Sequence, residues 1–123
     1  MQINESIENY LERILMLQQK KGCARSIDIA AELNVTKPSV SHATKLLREN
    51  GYITMDSDNC IFLTDSGREI AERMYERHQT LAQFLMRLGV SEKTAFADAC
   101  KMEHDISKET FDAICAHANG TQR

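Results

Sequence analysis

Residues 26–51 read SIDIAAELNVTKPSVSHATKLLRENG, and the pattern within them decides the fold. In the first eight, Ile27, Ala30, Ala31 and Leu33 share one helical stripe, with Ser26 placed to cap it and Asn34 to break it. A turn of three to four residues follows. Pro38 then occupies a first helical position, where its fixed φ and missing N–H carry no penalty. Val40, Ala43, Leu46 and Leu47 form a second stripe that Asn50-Gly51 ends. Two short helices joined by a tight turn make a helix-turn-helix.

Outward from this core, Tyr52 to Met55 and Cys60 to Leu63 read as strands around the polar turn Asp56-Ser57-Asp58-Asn59, a hairpin in the position of a wing. Upstream, Ile7, Tyr10, Leu11, Ile14, Leu15 and Leu17 give a first helix over Ser6 to Gln19 that stops at Gly22. Downstream, Thr64 is placed to cap a long helix from Asp65 to about Leu88, and Ser91 and Ser107 to cap two shorter ones. The expected fold is mainly α. A winged helix-turn-helix runs to about residue 64 and continues, without a Pro- or Gly-rich hinge, into a helical region.

A chain of 123 residues with 42% apolar content can bury a core without staples. No apolar run approaches the roughly 20 residues of a membrane span, and residues 1–10 are too polar and acidic for a signal peptide. The expected location is therefore cytoplasmic. Cys23, Cys60, Cys100 and Cys115 are evenly dispersed, so reduced thiols are expected. The net charge of −3 argues against a nucleic-acid binder on average, yet Arg13 to Arg25 carries only basic charges, and Thr36 to Tyr52 has Lys37, Lys45 and Arg48 against Glu49 alone.

Two groups of residues carry chemistry. Opposite the apolar stripe of the second short helix lie Thr36, Lys37, Pro38, Ser39, Ser41, His42 and Lys45. A face of small hydroxyls, one imidazole and two cations suits the major groove of double-stranded DNA, with Arg25 and Lys37 placed for phosphate contacts. In the C-terminal region, Cys100, Glu103 and His104 fall at i, i+3 and i+4, so thiolate, carboxylate and imidazole leave one helix face. Asn9 and Glu12, at i and i+3 of the first helix, and His78 in the long helix add further donor atoms for a metal ion.

The segments SIENYLERILML, DIAAELNVTKPSVS, LLRENGYI, LTDSGREIAERM, RHQTLAQFL and ADACKMEHDIS together resemble the diphtheria toxin repressor family of metal-dependent repressors, including its manganese-transport-regulator branch. The resemblance covers nearly the whole chain. It implies a DNA-binding domain over 1–64 and an all-helical dimerisation and metal-binding domain over 65–123. It further implies a homodimer on a palindromic operator, with divalent metal as corepressor of metal-homeostasis genes and a metal site joining the two parts. Carried over by position, the ligands are Glu12, His78, Cys100, Glu103 and His104, with Asn9 at a further ligand position.

Some positions depart from the family pattern. Cys100 with Glu103 and His104 resembles the iron-responsive branch, whereas Glu12 and the length resemble the manganese branch. Asn9 stands where the one has a thioether and the other a carboxylate. Ala82 and Phe96 stand at ancillary-site positions of the iron branch, against a second ion. A thiolate beside imidazole and carboxylate favours Fe(II) slightly over Mn(II). The alternatives are a winged-helix regulator that senses redox state through Cys100 or Cys60 instead of metal, and a metalloenzyme, which no nucleophile motif or phosphate loop accompanies.

Overall fold

Why the first helix forms and where it packs follow from one stripe: Leu11, Ile14, Leu15 and Leu17 are all buried, and they lie along α1 (Glu5–Lys21). The computed structural model describes residues 5–118, so residues 1–4 of the segment read for a targeting signal lie outside it. The remaining elements are α2 (Ser26–Leu33), α3 (Lys37–Glu49), β1 (Ile53–Met55), β2 (Ile61–Leu63), α4 (Asp65–Arg87), α5 (Glu92–Asp105) and α6 (Lys108–Ala118). The chain divides into two units, Met1–Arg73 and Met74–Arg123, and α4 contributes to both. No helix among the described residues is long and apolar enough to cross a membrane.

In the first unit, α1 packs on α2, α3 and β2, burying Ile29, Val40, Leu47, Ile53 and Ile61 with its own stripe. Each such side chain contributes roughly 1.5–3 kcal/mol by leaving water, so the position of α3 is set by this shared core. Thr36 caps α3, its Oγ1 accepting from the Ser39 N–H at 3.2 Å, and Pro38 lies in the first turn. Asn34 ends α2 in the left-handed conformation at φ 55°. The expected cap of α2 is corrected. Arg25, not Ser26, is the N-cap residue, with extended backbone and no side-chain cap bond, and Ser26 is the first helical residue. The reason is tertiary: Ala24 bridges to Ile61, which holds the chain extended up to the helix start.

β1 and β2 pair antiparallel, Ile53 opposite Leu63 and Met55 opposite Ile61. Asp56 organises the turn between them, its Oδ1 accepting from the N–H groups of Asp58 and Cys60 at 2.9 Å each. Gly67 allows α4 to start against the hairpin, because a Cβ there would overlap the Tyr52 carbonyl oxygen. The thiol expectation is also corrected: Cys23 and Cys60 form a disulfide, with Cα atoms 5.7 Å apart. Their separation of 37 residues is spanned by the same Ala24–Ile61 pairing, which brings the neighbouring positions together in space. Cys100 and Cys115 lie outside the disulfide.

The second unit is helical. Leu81 and Ala82 of α4 and Ala99 of α5 form its buried centre, against which Phe96, Met102, Ile106, Phe111 and Ile114 pack. Ser91 and Ser107 accept from the N–H groups of Thr94 and Thr110 and so start α5 and α6 as expected.

Candidate metal centre and nucleic-acid interface

In the second unit, one turn of α5 faces α4 with chemically distinctive groups. His78 of α4 and Cys100 and Glu103 of α5 each offer one ligand atom, and these three atoms lie within 4.8 Å of one another. His78 Nδ1 is 3.6 Å from Glu103 Oε2, and His104 Nε2 is 3.2 Å from Glu103 Oε1. Glu103 is fully buried and the His104 side chain is 1% exposed. The His78 ring is tilted against Phe96 with centroids 5.6 Å apart, which limits its rotation. A desolvated carboxylate is stabilised only by positive charge or donors around it. Imidazole, thiol and carboxylate together match a divalent first-row transition ion, so the donor set fits a metal.

Asn9 and Glu12 lie in the first unit, on α1. Glu12 is fully buried, an uncommon state for a glutamate. Asn9 is half-buried and lines a cavity of about 260 Å³ with Ser6, Tyr10, Leu33 and Val35. Ala82 and Phe96 belong to the apolar interior of the second unit and offer no ligand atoms. Burial pushes the Cys115 thiol pKa up, Asp112 and Glu76 add to the effect, and Arg77 opposes it.

The expected DNA-reading residues Thr36, Lys37, Pro38, Ser39, Ser41, His42 and Lys45 are all exposed, along α3 and its cap, while Val40, Ala43 and Leu47 of the same helix are buried. Thr36 is committed locally, since its hydroxyl also donates to Ser39 Oγ at 2.9 Å. Arg25 is exposed, yet its Nη1 donates to the Asp58 carbonyl oxygen at 2.7 Å, so it holds the wing turn. At the basic end of α1, Lys21 is paired with Asp28 at 3.1 Å, while Lys20 is exposed.

Comparison with known proteins matches two family models in succession along the chain. Residues 2–60 match the family described as iron dependent repressor, N-terminal DNA binding domain. Residues 64–123 match iron dependent repressor, metal binding and dimerisation domain. The chain belongs to the iron-dependent repressor family. The transcriptional regulator MntR of Salmonella typhimurium is 43% identical over 112 residues, covering 91% of this chain and 71% of that one. The crystal structure of T. acidophilum IdeR aligns with a TM-score of 0.83 at 27% identity, covering all of this chain and 57% of that one. A manganese-dependent transcriptional repressor solved with manganese aligns at 0.84 and 28% identity, over 95% of this chain and 54% of that one. The chain thus spans a little over half the length of these solved relatives.

Members of the iron-dependent repressor family are metal-responsive, DNA-binding transcriptional regulators and not enzymes, and the redox-only and metalloenzyme readings find no support among the relatives. Three contacts that support the candidate site residues come from distant parts of the sequence. Phe96 steadies His78, Asp58 gives its carbonyl to Arg25, and Cys23 pairs with Cys60. Only the last left a signal in the sequence, the presence of a second cysteine near a strand boundary.

Proposed function

We propose that this protein is a repressor of metal-homeostasis genes whose corepressor is a divalent transition metal, Fe(II) ahead of Mn(II), and which binds a palindromic operator as a homodimer in the cytoplasm. Its DNA-binding part is assigned to 1–64 and its dimerisation and metal part to 65–123. The observation that carries the reading is the cluster of buried His78 and Glu103 with half-buried Cys100, and His104 against the same carboxylate. Glu12 joins the proposed ligand set by family resemblance, as does Asn9, whose neutral amide oxygen is the weakest donor of the group.

When bound, a divalent cation supplies the charge that offsets the carboxylates and the Cys100 thiolate. The chain's own residues do the rest. Glu103 orders both imidazoles, and Phe96 holds the His78 ring. Glu12 stands on a helix packed against α2, α3 and β2, so whatever fixes α1 also fixes the DNA-reading helix. A corepressor works by favouring one arrangement of the dimer over another, here the one that sets two α3 helices into major grooves about 34 Å apart. Ser39, Ser41 and His42 are assigned to base edges, and Lys37 and Lys45 to phosphates.

Crystals soaked in Mn(II), and in Fe(II) without oxygen, test the site through anomalous scattering at each metal's edge. The expected peak lies within bonding distance of His78, Cys100 and Glu103. A single strong peak elsewhere on the chain would remove the proposed ligand set.

A further inference from the structure

The two-stranded wing has strands of three residues each, too short to hold a position unaided. β1 is held against α3, where the Tyr52 N–H donates to the Leu47 carbonyl, and β2 is held at a seam with the end of α1 and the loop after it. The Ala24 carbonyl accepts from the Ile61 N–H at 2.8 Å, Gln18 Nε2 donates to the Ile61 carbonyl at 3.0 Å, and Arg25 donates to the Asp58 carbonyl. The Cys23–Cys60 disulfide closes the same seam covalently. The two cysteines differ in exposure, Cys60 being buried and Cys23 half-buried. The seam's hydrogen bonds and the buried Ile53 and Ile61 do not themselves require the disulfide, so the domain is expected to keep a folded reduced state from which the bond can re-form.

We propose that the Cys23–Cys60 pair is a thiol–disulfide latch that fixes the wing when oxidised and loosens it when reduced. It sets DNA affinity in addition to the metal response, and to that extent rests on the DNA-binding reading above. Opening needs a dithiol. One thiolate attacks Cys23 Sγ, the S–S bond breaks with its electron pair on Cys60 Sγ, and that sulfur takes up a proton. The dithiol's second thiolate then attacks the mixed disulfide and releases Cys23, so the reductant leaves as a cyclic disulfide having delivered two electrons and two protons. Closing is the reverse and takes a low-molecular-weight disulfide as oxidant, which is reduced to two thiols. The step stays apart from the metal cluster, because neither cysteine belongs to it.

The test uses the full chain purified without reductant, then treated with dithiothreitol, then re-oxidised with oxidised glutathione. Alkylation under denaturing conditions is expected to label two cysteines in the oxidised form and four in the reduced form. Hydrogen exchange of amides 53–63 is expected to speed up at least about tenfold on reduction, and Tm to fall by about 10 °C. Affinity for a duplex selected from random DNA by the metal-loaded protein is expected to fall several-fold and to recover on re-oxidation. The Cys23→Ser/Cys60→Ser double variant is expected to behave as the reduced protein and to ignore both reagents. Should that variant fail to fold, the reduction cycle on the unsubstituted protein decides alone.

Four alkylated cysteines before any reductant, or a disulfide that opens only on unfolding, would overturn the latch. So would unchanged wing exchange on reduction. Loss of all DNA binding in both redox states, with wing exchange still responding, would instead count against the DNA-binding reading and leave the latch standing.

Discussion

Replacing Glu103 with Gln keeps the volume and one acceptor oxygen of a fully buried side chain while removing its charge. Without metal, the two imidazoles at 3.2 and 3.6 Å lose an anionic neighbour, but an imidazole can discard its proton near neutral pH, so no buried charge need be stranded. The metal-free stability is therefore expected to change by no more than about 1 kcal/mol. With metal the difference is larger. At a free concentration a hundred times the dissociation constant, a ligand that binds only the folded state stabilises it by about 2.7 kcal/mol. For a chain of this size that raises Tm by about 10 °C. The expected result by calorimetry, with Mn(II) and a chelator as the two conditions, is a shift of that order in the unsubstituted protein and almost none in Glu103→Gln. If Glu103→Gln lost 3–5 kcal/mol without metal and kept the full shift with it, Glu103 would be a structural ion-pair partner and the proposed site would be wrong.

Thr36→Ala removes the α3 cap and is expected to lower stability by about 1 kcal/mol in urea unfolding, with base preference unchanged in a selection from random duplexes. His42→Ala is expected to do the reverse, leaving stability alone and relaxing one position in each half-site. Gly67→Ala sets a methyl against the Tyr52 carbonyl oxygen and is expected to cost about 2 kcal/mol or more, read as a lower denaturation midpoint. Because burial pushes the Cys115 thiol up, its alkylation by iodoacetamide is expected to be slow at pH 8 and to keep rising beyond the pH at which an exposed cysteine levels off.

Those positions where local chemistry and tertiary packing agree were legible in the sequence. The stripes of α1 and α3, the αL turn at Asn34, the caps at Thr64, Ser91 and Ser107 and the wing turn at Asp56 are each set by residues within a few positions of one another. The i, i+3, i+4 spacing of Cys100, Glu103 and His104 was sufficient to put them on one face, because a helix repeats at that interval. What was not legible came from contacts between distant segments. The Ala24–Ile61 pairing moved the start of α2 to Ser26 and joined Cys23 to Cys60. It also brings the exposed Arg25 side chain to the Asp58 carbonyl of the wing turn, a contact that charge patterning does not show. Phe96 against His78 is of the same kind, since an aromatic on the next helix, α5, leaves no periodic trace in α4.

In the proposed mechanism, metal held at the His78, Cys100 and Glu103 cluster switches on DNA binding. It is tested most directly by fluorescence anisotropy of a duplex selected from random DNA, titrated with the protein at fixed salt in Mn(II), in Fe(II) without oxygen, and in chelator. At least about tenfold tighter binding is expected with metal than with chelator, falling to no difference in Glu103→Gln. Equal affinity with metal and with chelator in the unsubstituted protein would mean that metal does not control DNA binding.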